Sequence, residues 1–252
     1  MRDFSMSTYS YILETLSKYQ YTFQTYEDFC ISPNEKVIVL RHDVDRAPYN
    51  GLKMAKIEKS LDIKASYYFR VVSESYDEKI IEAIIDLGHE LGYHYEDLAM
   101  TKGNFESAIE RFEKNLEMFR KFYPVRTMCM HGSPMSDWDN KLLWESNSYK
   151  KYGIIGEPYF DIDFNKVYYI TDASRTWNNE QVTIRDKVKS KLSFIINSSE
   201  DIIDLITRKQ LPDKVMLSTH PHNWADSFPE WVKILYWQGI KNQVKKVIVK
   251  RI

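Results

Sequence analysis

Short apolar, β-branched runs alternate along the chain with longer amphipathic stretches, and this alternation predicts an α/β architecture. Helices are expected at 8–19 and 26–30, ahead of the first strong strand at 36–40 (KVIVL). The unbroken apolar character of that strand suits a parallel strand covered on both faces. A helix is expected at about 48–61, with Leu52, Ala55 and Ile57 among lysines. Another is expected at 77–87, with Ile80, Ile81, Ile84 and Ile85 on its apolar side. Strands are expected at 65–70 and 89–95. Asn104 opens a long amphipathic helix to about Tyr123, where Ala108, Phe112, Leu116 and Phe119 follow at intervals of four, four and three, and Pro124 ends it. Beyond it the pattern predicts a strand at 127–131, a helix at 138–151, strands at 154–155 and 167–171, a Ser-capped helix at 199–208 and a strand at 214–219. An amphipathic helix is expected after Phe228. Polar residues gather just past several strand ends, where α/β folds assemble their sites from loops.

Composition narrows the classes. With 252 residues and 43% apolar content the chain can bury a sizeable core, and it reads as a single domain over 1–252 with a short helical extension at about 1–34. Thirty-five Lys and Arg balance thirty-six Asp and Glu, which argues against a dedicated nucleic-acid binder. No apolar run approaches the ~18 residues of a membrane span. The N-terminal residues lack the apolar stretch of an export signal, so a cytoplasmic location is expected. Cys30 and Cys129 are too few for a disulfide framework or a thiolate zinc site.

Chemistry concentrates in five segments. The first, Arg41-His42-Asp43-Val44-Asp45, follows the 36–40 strand directly. On an extended chain Asp43 and Asp45 face the same side. Two neighbouring carboxylates oppose each other's ionisation unless a cation is present, and a metal held by one would leave the other free as a base. A solvated turn capping the next helix is the alternative. The second segment is Gly88-His89-Glu90-Leu91-Gly92-Tyr93-His94-Tyr95-Glu96-Asp97. His89 and His94 would face opposite sides of a strand, which leaves His89 structural and His94, beside Glu96 and Asp97, the candidate ligand. His131-Gly132 ends another strand. Asp172, Arg175 and Trp177 supply an acid, a cation and an aromatic wall after the 167–171 strand. His220 and His222 form a His-x-His pair beside Trp224.

In this order the motifs resemble the NodB-homology polysaccharide deacetylase family, also called carbohydrate esterase family four, from about Lys36 to Trp224. Residues 41–45 stand where that family has Thr-Phe-Asp-Asp-Gly. Residues 88–94 match the start of its Gly-His-Glu-Ile-Gly-x-His-Thr-x-x-His motif. His131 to Pro134 occupy the place of an Arg-x-Pro segment, Asp172 to Trp177 that of an Asp- and Trp-containing motif, and Leu217 to His220 that of Leu-x-His. The resemblance implies a distorted (β/α) barrel that hydrolyses a C–N bond, with removal of the acetyl group from an N-acetylated sugar in surface-polysaccharide metabolism as the leading activity. It implies Asp43 as base, His220 as acid, and Asp45 and His94 as ligands of a divalent metal, zinc by ligand type, with the roles of Asp43 and Asp45 reversed as the alternative that the split pair leaves open. Three departures stand out: Leu98 replaces the second histidine of motif two, Val44 splits the acid pair, and His131 replaces the arginine. His131 is therefore the candidate third ligand, with Glu96 and Asp97 as alternatives. Glu96, Asp172, Trp177, His222 and Trp224 are expected to contact substrate. A metal-independent hydrolase of a cyclic amide or ureide and an inactive sugar-binding barrel are the competing expectations.

Overall fold

The structure, a computed structural model, describes residues 1–177 and 188–249, with side chains described to residue 243. Seven parallel strands form one sheet: β1 (Thr22–Gln24), β2 (Val37–Val44), β3 (Ser66–Phe69), β4 (Glu90–Tyr95), β5 (Met128–Met130), β6 (Tyr168–Thr171) and β7 (Lys214–Thr219). The order is β5-β4-β3-β2-β7-β6, and β1 shares with β3 one edge of the long central β2. The helices are α1 (Met6–Lys18), α2 (Tyr26–Ile31), α3 (Pro48–Ser60), α4 (Glu78–Asp86), α5 (Asp97–Met100), α6 (Phe105–Arg120), α7 (Pro158–Asp161), α8 (Ser199–Thr207) and α9 (Phe228–Val249). Among the described residues β5 and β6 form no ladder with each other, so the (β/α) barrel is open on that side.

Strand alternation divides the core in two. Ile38, Leu40 and Val44 of β2, Tyr67 and Phe69 of β3, and Leu91, Tyr93 and Tyr95 of β4 pack in the larger cluster, with apolar residues of the surrounding helices. Val39, Tyr68, Cys129 and Met216 pack in a small separate cluster with Tyr26 and Val167. The period of two therefore places Val39, Arg41 and Asp43 on one side of β2, and Ile38, Leu40 and His42 on the other. Gly92 is needed at its position: a Cβ there would stand 2.2 Å from the ring of Tyr68, which pairs with it in register.

Most expected elements form, and the differences have local causes. The first strand is longer than its apolar run, because Arg41, His42 and Asp43 remain in the ladder with β3 and β7. The expected N-terminal extension contains β1, and α1 buries Tyr9, Ile12, Leu13 and Leu16, so the segment is part of the body. Residues 138–151 make two 3-10 segments, Asn140–Trp144 and Tyr149–Tyr152, instead of one helix. The intervening Ser146-Asn147-Ser148 competes for backbone hydrogen bonds. The expected strand at 154–155 reduces to an isolated bridge between Gly156 and Thr127.

Two glycine replacements probe this packing in opposite directions. Gly92→Ala should lower stability by about 1–3 kcal/mol, because the Tyr68 ring is buried and cannot yield cheaply. Gly239→Ala, in α9 with open space around it, should raise stability by about 0.5–1 kcal/mol. Denaturant titration of both variants measures the two signs.

Candidate active site

Asp43 is 2% exposed at the end of β2, and a carboxylate there needs a counter-charge. Arg41, two residues earlier on the same face, supplies it: Nε donates to Oδ1 at 2.8 Å and Nη2 to Oδ2 at 2.5 Å. Burial pushes the Asp43 carboxyl up, but Arg41 and then His94 and His220 outweigh this and hold it below its ordinary value. Arg41 was visible in the motif but unassigned by the sequence reading. Its signal was the i, i+2 spacing from Asp43 along a strand.

Around this pair the structure gathers four further expected residues. His94 Nε2 lies 3.9 Å from Asp43 Oδ2 and 3.3 Å from Asp45 Oδ1. His131 Nε2 lies 3.6 Å from the same Asp45 oxygen. His220 Nε2 lies 4.0 Å from Asp43 Oδ2. Each imidazole is fixed from behind. His94 Nδ1 donates to the carbonyl of Cys129 at 3.0 Å, and His131 Nδ1 pairs with Glu96 Oε2 at 2.8 Å. With Nδ1 as donor, a neutral ring turns the lone pair of Nε2 toward Asp45.

Among the described residues the buried Asp45 Oδ1 makes no well-formed hydrogen bond, although two imidazole nitrogens converge on it. An orphaned carboxylate oxygen facing two acceptor nitrogens fits a cation. On two of the three edges of this set the separations, 3.3 and 3.6 Å from Asp45 Oδ1, are close to the ~3.4 Å expected between donors about 2.1 Å from a shared tetrahedral centre. A second grouping shares His94: ligand atoms of Asp43, His94 and Cys129 all lie within 4.8 Å of one another. Both Asp43 oxygens already accept from Arg41, so an ion in that set would have to compete with a buried guanidinium.

His220 Nδ1 meets Asp172 Oδ1 at 2.6 Å, and Trp224 Nε1 holds the other carboxylate oxygen at 2.7 Å. Burial pushes His220 down, but the hydrogen bond and charge of Asp172, then Asp45 and Asp43, raise it to about 10. It therefore carries a proton at neutrality. The His222 ring stands 5.8 Å from that of His220. Among the described residues its buried Nδ1 meets no hydrogen-bond partner, and burial holds the ring well below the ordinary imidazole value.

Several expected substrate contacts have other work. Both Glu96 oxygens are taken by Arg70, at 2.9 and 2.8 Å, and one also by His131. Asp172 is fully buried behind His220. Trp177 and Trp224 are buried and pack on each other and on Phe4, so neither offers an open ring face to a sugar. Asp97 accepts from Tyr93 and Asn115 and does not reach the site histidines. Leu98 is fully buried in the core. His42 and His89 belong to a separate cluster outside the barrel, where His42 Nε2 lies 2.8 Å and His89 Nδ1 3.4 Å from the buried Glu58 carboxylate.

The chain matches no protein-family model. It matches no curated protein. Solved structures similar to it include a carbohydrate esterase family 4 pseudoenzyme from Bacillus anthracis, at 16% identity and a TM-score of 0.48, over 85% of this chain and 63% of that one. They also include the family 4 carbohydrate esterase PdaA of Bacillus subtilis, at 14% identity and TM-score 0.43, over 90% of this chain and 82% of that one. A Streptococcus mutans family 4 esterase matches at 15% and 0.44, over 92% and 89%. The chain spans between 63% and 65% of the length of the Bacillus anthracis protein and its two mutants.

The Arg41–Asp43 pair is open to a direct test. Arg41→Gln should cost about 3–5 kcal/mol at neutral pH, because it leaves a buried carboxylate without its counter-charge. Adding Asp43→Asn should restore much of that loss. A double-mutant cycle in denaturant measures the coupling.

Proposed function

We propose that the protein is a metal-dependent amide hydrolase of the carbohydrate esterase type, and that it removes the acetyl group from an N-acetylated sugar. The observation that carries this reading is the convergence of His94 and His131 on the unsatisfied oxygen of Asp45, between a clamped carboxylate and a protonated imidazole. In this reading Asp45, His94 and His131 hold the divalent ion. A bound zinc would polarise the amide carbonyl and acidify water.

The remaining steps belong to the chain. Asp43, kept ionised and oriented by Arg41, accepts the proton of the attacking water through Oδ2, the oxygen that faces His94 and His220. His220 carries its proton on Nε2 because Asp172 holds Nδ1, and it delivers that proton to the departing amine. Glu96 and Asp172 are positioning residues for His131 and His220, and Trp224 positions Asp172. One observation favours a second reading, a barrel that binds sugar without turnover: the buried Leu98 at the family's second histidine position.

Metal analysis and acetate release from N-acetylhexosamine substrates separate these readings. Asp43→Asn should abolish turnover and leave metal bound, whereas Asp45→Asn or His94→Ala should lower metal content. Sugar binding with neither metal nor acetate release would favour the inactive barrel, and turnover that survives chelation would exclude the metal. The pH profile adds an independent check. The acid form of His220 persists through neutrality and is lost as pH rises through about 10. Asp172→Asn removes the hydrogen bond and the charge that raise it, so the alkaline limb of the rate profile should move to lower pH.

A further inference from the structure

Helix α9 has a side seated on the body and an apolar side that is exposed. One side seats it on the body: Gln238 is buried, Trp231 Nε1 donates to the carbonyl of Asp3 at 2.6 Å, and Asn242 Nδ2 to that of Ser174 at 2.9 Å. The other side faces solvent. Phe228, Val232, Leu235, Tyr236 and Ile240 recur at i, i+4, i+7, i+8 and i+12, one stripe of a helix, and each is at least 42% exposed. Trp237, 55% exposed, lies beside that stripe. A contiguous apolar patch of this kind on a folded chain marks an interaction surface.

Charge identifies what it meets. From residue 228 to the end the sequence carries six Lys and Arg against one Glu, a net +5. The rest of the chain holds twenty-nine cations against thirty-five acids, a net −6. The aromatic residues lie in the first half of the segment, and four of the last eight residues are Lys or Arg. Exposed Trp, Tyr and Leu in a segment whose sequence is rich in lysine suit a helix that lies in a lipid interface, with rings at headgroup depth and cations against anionic lipid. A second copy of the chain on this face would bring two segments of +5 together. No helix among the described residues is long and apolar enough to cross a membrane, so a surface mode is the one this helix can use.

We propose that the outer face of α9 docks on an anionic lipid bilayer, lying in the interface without spanning it. This does not depend on the hydrolase reading. The anchor of Asn242 on Ser174 joins the helix to the loop that carries Asp172, so docking would bring the active-site rim close to the lipid surface.

The test is sedimentation of the full chain with vesicles of phosphatidylglycerol and phosphatidylcholine, and with phosphatidylcholine alone. The chain should pellet with the anionic vesicles and be released by added salt. Leu235→Ser/Trp237→Ser should abolish pelleting, and Lys245→Gln/Lys246→Gln should weaken it on the order of tenfold. Circular dichroism and thermal melting would establish that both variants keep the wild-type fold. Failure of the wild type to pellet with anionic vesicles would overturn the proposal, as would pelleting indifferent to Leu235→Ser/Trp237→Ser. So would a dimer in light scattering that the same double variant converts to monomer.

Discussion

The bidentate pair of Arg41 and Asp43 sets the terms for the rest of the site. Two residues on one face of a buried parallel strand place a guanidinium below a carboxylate, both almost without solvent contact. A barrel interior cannot carry an uncompensated acid. With Arg41 as the partner, Asp43 stays ionised whether or not anything occupies the space beyond it. Asp45, in the bend just past β2, has no guanidinium on its side chain among the described residues, and Arg70 reaches only its carbonyl, at 3.1 Å. Its carboxylate is left to the imidazoles. The two acids look equivalent in the sequence, yet their environments separate them into a clamped carboxylate and an unsatisfied one.

The same alternation sorts the histidines. His42 lies between Arg41 and Asp43 in sequence but points through the opposite face, toward Glu58, Tyr67 and Tyr9. His89 joins it there. The second cluster resembles a site in composition, with two imidazoles and a carboxylate. Its Glu58 oxygens, however, accept from the hydroxyls of Tyr9 at 2.5 Å and Tyr67 at 2.9 Å, and nothing is left unsatisfied. Fully partnered and buried under α1 and α3, it ties helices to the sheet. The site differs by having an orphaned oxygen and a face open to solvent.

This contrast shows what the sequence could and could not reveal. Period-two alternation and apolar runs made the strands legible. They also made legible the opposite orientation of His89 and His94, which follows from local geometry alone. Asp45 lies past the end of β2, in a bend where its N–H donates to the Asp43 carbonyl, so strand alternation does not govern its side chain. The Asp172–His220 pair spans 48 positions and the Glu96–His131 pair 35, so neither could be read locally. Trp177 and Trp224 looked like sugar platforms because an aromatic beside a polar cluster reads alike whether it is packed or open. Only the arrival of Phe4 from the N-terminus shows that they are packed. The apolar outer stripe of α9 was hidden for a related reason: an amphipathic helix is legible in the sequence, but which of its sides is covered is not.

On the proposed reading, Leu98 is the most instructive departure, because it would move the support of the site from one element to another. A side chain at this point of α5 packs fully into the core, among the residues that hold the short helix against its surroundings. A histidine there would need polar partners inside that packing or a different backbone path. The chain instead presents His131 from the end of β5, and it builds a dedicated support behind it. Arg70 fixes Glu96 through two hydrogen bonds, and Glu96 fixes His131. Three residues from the ends of three adjacent strands thus aim one imidazole at Asp45. A charged relay of this kind costs desolvation that packing alone would not repay. The Arg70–Glu96–His131 chain is what would be expected where the nitrogen opposite Asp45 has to be held in place.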